Sequence, residues 1–204
     1  MDDESGPGRR LMVLVHGYGA DEHDLAPLAP MYDPDGEFFA VCPRGPNDVF
    51  PYGAGWYERD EAGNIDEAGF VASIDRLDAT IDAICAEHGF DRARSVIIGF
   101  SQGGAATLAV ALRASDSVRP AAIACLSGML QEPAAMAYAW DAVDLPPVYV
   151  QHGTLDPMVG IERGHHVRDT LRGHGLDVRY DDYPMGHEIR PESILDLRTW
   201  LAEH

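Results

Sequence analysis

The sequence predicts an α/β fold: one mainly parallel sheet with helices on both of its faces. Two observations carry this. Short apolar, β-branched runs recur along the chain, and between them lie longer stretches whose apolar residues fall at three- and four-residue steps. Alternation of that kind places successive strands side by side in parallel, with helical crossovers packed above and below. A third observation sets the scale. At 204 residues, with 46% hydrophobic and 24% charged residues, the chain is expected to form one domain, residues 1–204, with a well-buried core.

The elements follow in order. Residues 1–10 are acidic at the start and are expected to be flexible. Leu11–Val15 reads as a buried strand running into the glycine-rich turn His16-Gly17-Tyr18-Gly19-Ala20. A helix is expected over 24–31 and a strand over 38–42. Residues 43–67 show no periodicity and carry Pro43, Gly45, Pro46, Pro51, Gly53, Gly55 and Gly63. This stretch is read as one long loop arching over the C-terminal edge of the sheet, where long loops usually serve function. The next helix, 68–88, has Phe70, Ile74, Leu77, Ile81, Ile84 and Cys85 on one face and stops at Gly89. Strands are then expected at 95–99, 121–126, 147–151 and 178–183, and helices at 102–114, 160–174 and 191–203. Pro191 suits the first position of the last helix. No repeat, linker or low-complexity tract divides the chain, and its length leaves no room for a separate cap domain.

Composition narrows the function classes. The chain has 34 acidic and 15 basic residues, a formal net charge of −19, and every basic residue is arginine. Such a field repels phosphate backbones and anionic lipid surfaces, so neither a nucleic-acid partner nor stable membrane association is expected. Arginine in place of lysine fits a GC-rich genome, whereas the surplus of aspartate fits adaptation to salt. No apolar run approaches the ~20 residues that span a bilayer. The N-terminus lacks the basic-then-apolar pattern of a secretory leader, and Asp2 excludes N-myristoylation. Cys42, Cys85 and Cys125 lie far apart in apolar surroundings, which reads as reduced core thiols in a cytoplasmic protein. His165, His166 and His174 sit on a solvated helix face without a carboxylate at ligand spacing, so no metal site is expected. The sequence does not choose between a monomer and a homodimer.

One string concentrates the chemistry. Gly99-Phe100-Ser101-Gln102-Gly103 joins the strand at 95–99 to the small-residue helix that follows. Strand, sharp turn and helix is the setting in which a G-x-S-x-G pentapeptide lifts a serine hydroxyl clear of the sheet edge. A serine hydroxyl needs a histidine to take its proton, and the histidine needs a carboxylate to fix its tautomer. Asp156 and His187 each fall in a turn just past a later strand, where the crevice of an open α/β sheet lies. Asp181 and Asp182 also compete as the acid, but they lie inside a strand and point to opposite faces. The glycine turn after the first strand, together with the N–H of Gln102, is placed to receive a developing oxyanion. Trp56, Tyr57, Phe50 and Tyr52 in the long loop are expected to wall the cleft. Met129 and Met158, flexible side chains at strand ends, are candidate substrate contacts.

The strings His16–Glu22 with Asp24-Leu25, Gly99–Gly104, His152–Val159 and Tyr183–Ile189 together resemble the phospholipase/carboxylesterase family of α/β-hydrolases, which also contains the acyl-protein thioesterases. The resemblance runs from about residue 11 to the end. It implies a single-domain α/β-hydrolase with Ser101, Asp156 and His187 as catalytic triad and backbone N–H groups of Tyr18 and Gln102 as oxyanion hole. It also implies that Trp56, in Gly55-Trp56-Tyr57, stands beside the substrate cleft. Ala20 replaces an aspartate usual in the thioesterase branch, and Tyr18 a frequent leucine, which resembles the bacterial esterase side. The expected activity is therefore hydrolysis of short- to medium-chain carboxylic esters, small-molecule substrates, through an acyl-enzyme and without a cofactor. Lysophospholipase or acyl-thioesterase action with the same triad is one alternative. A catalytically inactive binding module on the same fold is a more remote one.

Overall fold

The computed structural model describes residues 8–204. Most of the stretch expected to be flexible thus lies outside the described residues, while Arg10 already opens the first strand. The strands are β1 (Arg10–Val15), β2 (Phe38–Val41), β3 (Asn47–Val49), β4 (Gly53–Gly55), β5 (Val96–Phe100), β6 (Ala122–Leu126), β7 (Val148–Gly153) and β8 (Val178–Tyr183). The main sheet has six strands in the order β2-β1-β5-β6-β7-β8, and every pairing in it is parallel. Helices α2 (Glu67–His88), α3 (Gln102–Leu112) and α4 (Ile161–Gly173) cover one face. The short α1 (Ala29–Tyr32) and α5 (Pro191–Leu201) cover the other.

Period-two alternation in β1 decides which side chain enters which layer. Leu11, Val13 and Val15 pack with Phe70, Ile74, Leu77 and Ile81 of α2, whereas Met12 and Leu14 pack with Ile194, Leu197 and Trp200 of α5. Helix α3 is buried along its whole length, and its glycines and alanines let it lie close to the sheet. A Cβ on Gly103 would collide with the Val15 carbonyl, so the helix rests directly on strand backbone.

The expected helix at 24–31 is instead a 3-10 turn (Ala26–Leu28) followed by the single turn of α1. Pro27 and Pro30 each remove an amide donor and leave too little for a continuous helix. Helix α3 ends at Leu112, short of residue 114, because Arg113 turns extended and bridges to Tyr138. Helix α2 starts at Glu67, one residue before the expected start, and ends at His88 as expected. Asp66 caps it by accepting the Gly69 N–H at 3.1 Å, and Gly89 closes it at φ 71°.

The largest correction concerns residues 43–67. They are not one structureless loop: β3 and β4 pair as an antiparallel hairpin, and Arg59 bridges to Ile65. The hairpin lies on the glycine turn after β1. Gly19 N–H donates to Ala54 O at 2.8 Å and Ala54 N–H donates to Ala20 O at 2.7 Å. Phe50 and Tyr52, expected to wall the cleft, stand at the hairpin tip 96% and 87% exposed.

Behind the sheet, Asp78 is the centre of a buried charge cluster. It accepts hydrogen bonds from Arg92, from Arg113 at 2.6 Å and from the Ser117 hydroxyl at 2.8 Å. Burial alone would raise its carboxyl pKa, but the donors of Arg113, Ser117 and Arg92 outweigh burial and hold it below its ordinary value. A depressed carboxylate stabilises the fold above its unfolded pKa of about 3.9, and this contribution disappears as pH falls through the lower folded value. Asp78→Asn is therefore expected to cost about 3 kcal/mol at neutral pH by leaving two arginines under-compensated. This corresponds to roughly 6–12 °C in Tm for a chain of this size. Thermal melts should show the gap to wild type closing as the pH drops below about 4. A gap that is absent at pH 7, or unchanged in acid, contradicts this account.

Candidate active site

Strand β5 delivers Ser101 to the C-terminal edge of the sheet and α3 starts immediately after it. Ser101 sits at φ 56°, ψ −117°, a conformation costly for a residue with a Cβ. The strain is held from three sides. Ser101 N–H donates to Leu126 O of the neighbouring β6 at 2.8 Å. A Cβ on Gly99 would meet the Gly103 carbonyl and Thr107, and one on Gly103 would meet Val15. The turn is tight enough that only glycine fits on either side of the serine, two positions away.

The His187 ring stands between the serine and the acid. Its Nε2 is 2.9 Å from Ser101 Oγ and its Nδ1 is 2.7 Å from Asp156 Oδ2. Phe100 packs against the ring at a centroid distance of 4.8 Å and limits its rotation. Asp156 is buried, and its second oxygen, Oδ1, accepts the Met158 and Val159 N–H groups, each at 2.8 Å. Burial pushes this carboxyl up. The Val159 N–H, the His187 ring and the Met158 N–H push it down and prevail, so Asp156 stays ionised. The chain thus forms a continuous hydrogen-bonded line from carboxylate through imidazole to hydroxyl.

The rival acids are elsewhere. Asp181 accepts from Tyr149 and from Arg179 Nε at 2.8 Å, and Asp182 is exposed. The histidines read as a solvated face also go to separate neighbours. His165 meets Tyr180, and His174 stacks on Trp140 at 4.3 Å.

On the other side of the serine lies the glycine turn. A Cβ on Gly17 would stand 3.4 Å from Ser101 Cβ, so the turn borders Ser101 directly. The N–H groups of Tyr18 and Gln102 meet no protein acceptor among the described residues, and Gln102 opens α3, where the helix dipole is positive. His16 holds the turn. Because the Gly45 N–H donates to its Nε2 at 2.9 Å, the ring proton is on Nδ1 and is given to Gly17 O at 2.7 Å. Burial lowers the His16 pKa, which keeps this neutral form.

Two side chains matter that the sequence did not reveal. The Gln102 amide faces inward: its Oε1 accepts the Trp56 N–H and its Nε2 donates to Tyr57 O, both at 2.6 Å. Gln102, next to Ser101, thereby fastens the segment after β4. His152, fully buried, donates from Nε2 to Val159 O at 2.8 Å and so braces the turn that carries Asp156. A polar glutamine within a run of glycine and alanine was the only available signal for the first. The second is hidden among strand residues.

A cleft of about 430 Å³ opens over Ser101 and His187, lined among others by Tyr18, Tyr57, Arg59, Met129 and Met158. Both methionines border this cleft, whereas Trp56 does not. It is 2% exposed and turned into the core, with its indole N–H bound to His16 O at 2.9 Å. Its neighbour Tyr57 is buried in the same core cluster, yet part of its side chain borders the cleft.

A serine raised on such a turn, relayed through histidine to aspartate across the ends of parallel strands, defines the α/β-hydrolases. The chain belongs to one family among them: it matches Phospholipase/Carboxylesterase over residues 2–204. It is 30% identical over 221 residues to acyl-protein thioesterase 1 of Neurospora crassa, covering 94% of this chain and 85% of that protein. With the putative hydrolase MhqD of Bacillus subtilis it shares 25% identity over 202 residues, 98% of this chain and 96% of the relative. Among solved structures, esterase PE8 superposes with a TM-score of 0.83 at 28% identity, covering 98% of this chain and 94% of its own. The carboxylesterase from Mesorhizobium loti has the same fold, with a TM-score of 0.84 at 23% identity, covering 100% and 93%. Among the described residues no helix is long and apolar enough to cross a membrane.

Proposed function

We propose that this protein is a serine carboxylesterase that hydrolyses short- to medium-chain esters through an acyl-enzyme. The observation that carries the reading is the unbroken line Asp156–His187–Ser101, with spacings of 2.7 and 2.9 Å, ending on a strained serine at the floor of a cleft. His187 Nε2 takes the Ser101 proton as Oγ attacks the ester carbonyl. The tetrahedral oxyanion forms against the N–H groups of Tyr18 and Gln102. His187, now an imidazolium oriented and stabilised by Asp156, returns the proton to the departing alcohol. Water, activated by the same imidazole, then cleaves the acyl-serine ester. Every proton is accounted for by these side chains, and the reaction needs no cofactor.

The methionine-lined cleft adapts to flexible acyl groups, and among the described residues no cap covers it. The same machinery would cleave a thioester, and the N. crassa relative is named an acyl-protein thioesterase. Three free cysteines support a reducing, cytoplasmic setting, with the half-buried Cys42 thiol pushed up to about 11 by burial. The negative field supports a small-molecule substrate over polyanionic partners. A p-nitrophenyl ester series from acetate to palmitate tests the reading. Acyl chains up to about eight carbons should turn over fastest, and an oxygen ester should outpace its matched thioester. Absence of turnover across the series would remove the esterase assignment, and a faster thioester would redirect it.

A further inference from the structure

Among the described residues lining the cleft there is one permanent cation, Arg59, and the hydrolysis assigned above does not use it. We propose that Arg59 selects esters carrying a second, singly charged anionic group, a carboxylate a few bonds away from the scissile ester. The proposal rests on the esterase reading and specifies its substrate class.

Arg59 follows β4 on the extended segment that closes one side of the cleft, and its guanidinium is fixed by neutral partners. Its Nη1 donates to Gly63 O at 2.7 Å and its Nη2 lies 3.3 Å from Met129 Sδ. Its Cζ sits 5.5 Å from the centre of the Tyr57 ring. Met129 and Tyr57 line the same cleft as Ser101 and His187, so the charge is directed at the substrate space. None of these contacts cancels it, and no carboxylate of the described residues lies within ion-pairing distance. Elsewhere on the fold Arg92, Arg113 and Arg119 each meet an aspartate. Arg59 is exposed, and what sets it apart is its place: it borders the cleft over Ser101 and His187, where its charge is open to an anion.

The chemistry of this charge is specific. Guanidinium has five N–H donors in a planar fork, and a carbonyl oxygen and a sulfur occupy two of them. The remainder match a carboxylate, which can accept two parallel hydrogen bonds. The overall negative field penalises each further charge on an approaching ligand, so a monoanion fits better than a dianionic phosphate. Glu58 also borders the cleft but makes no ion pair with Arg59 and adds to that penalty. Two placements share this chemistry. In one, the carboxylate belongs to the acyl part, so that hydrolysis releases a dicarboxylic acid and an alcohol. Alternatively it belongs to the alcohol part, and the products are a carboxylic acid and a hydroxy acid. In both, water's oxygen joins the acyl carbon as the acyl–oxygen bond breaks.

Matched pairs separate these placements. For the acyl side, p-nitrophenyl hydrogen glutarate is compared with p-nitrophenyl pentanoate. For the alcohol side, O-acetyl-lactate is compared with isopropyl acetate, followed by pH-stat. The readout is the ratio of kcat/KM, anionic over neutral, in wild type, Arg59→Gln and Arg59→Lys. The ratio should fall about tenfold in Arg59→Gln for one of the pairs, equivalent to about 1.4 kcal/mol, and recover in part in Arg59→Lys. The pair that responds identifies the side. An equal ratio in wild type and Arg59→Gln for both pairs overturns the proposal, including the case where both members slow together. Failure of the wild-type protein to cleave any of the four esters would instead overturn the esterase reading.

Discussion

A fluorophosphonate is expected to label this protein once, at Ser101, and Ser101→Ala to abolish the label and lower kcat by roughly 10³–10⁶-fold. The effect is large because nothing nearby can substitute. Ser127 also has a positive φ, 47°, but its hydroxyl is buried and without a partner, and the His187 ring is already bound at Nε2 by Ser101. The fold should survive, since the elbow is held by Ser101 backbone and by glycine packing, neither of which depends on the hydroxyl. Intact-mass spectrometry of the labelled protein and of the variant decides the matter. A label on another residue, or turnover retained in Ser101→Ala, would falsify the assignment of the nucleophile.

Asp156→Asn is expected to lower kcat by about 10³–10⁴-fold with little loss of fold. The geometry sets which way the new amide must face. Two backbone donors, Met158 N–H and Val159 N–H, converge on Oδ1 and require an oxygen there. The amide nitrogen is therefore forced into the position facing His187 Nδ1. A donor at that place makes Nδ1 the acceptor and puts the ring proton on Nε2, where it can no longer receive the serine proton. The variant would be locked in the wrong tautomer and not merely weakened. Asp181→Asn and Asp182→Asn should retain near-normal kcat, because the first serves Tyr149 and Arg179 and the second faces solvent. If one of those two is the crippled enzyme, the acid has been wrongly placed.

The sheet was legible in the sequence because buried parallel strands are continuous apolar runs. Strands such as Leu11–Val15 and Val96–Ile98 have no other reading once glycine turns bound them. The placement of Ser101, Asp156 and His187 was legible for a related reason: each follows a recognisable strand, and strand ends set position more sharply than helices or loops. The hairpin of β3 and β4 was not legible. Each of its strands is three residues long, and β4, Gly-Ala-Gly, offers no side-chain alternation to detect. Missing it also misplaced Trp56, since the inward or outward sense of an aromatic depends on the register of the strand before it. The same gap hid the inward turn of Gln102, whose partners are backbone groups of the segment after β4. Arg59 was invisible as a cleft residue because its orientation follows from its bridge to Ile65.

The contact between the hairpin and the oxyanion turn bears on how this cleft can diversify. A Cβ on Gly53 would strike the Gly19 carbonyl, and one on Gly45 would strike Gly55, so here main chain lies on main chain with no side chain between. Such a joint cannot be retuned gradually, because the smallest change from glycine already exceeds the space. The hairpin tip has the opposite character: Phe50 and Tyr52 touch little, and substitutions there meet only water. New specificities in this scaffold can therefore arise by replacing or lengthening the tip between two fixed hinges of glycine. The alignment of the reaction centre is inherited unchanged, and the rim is left open to rapid drift.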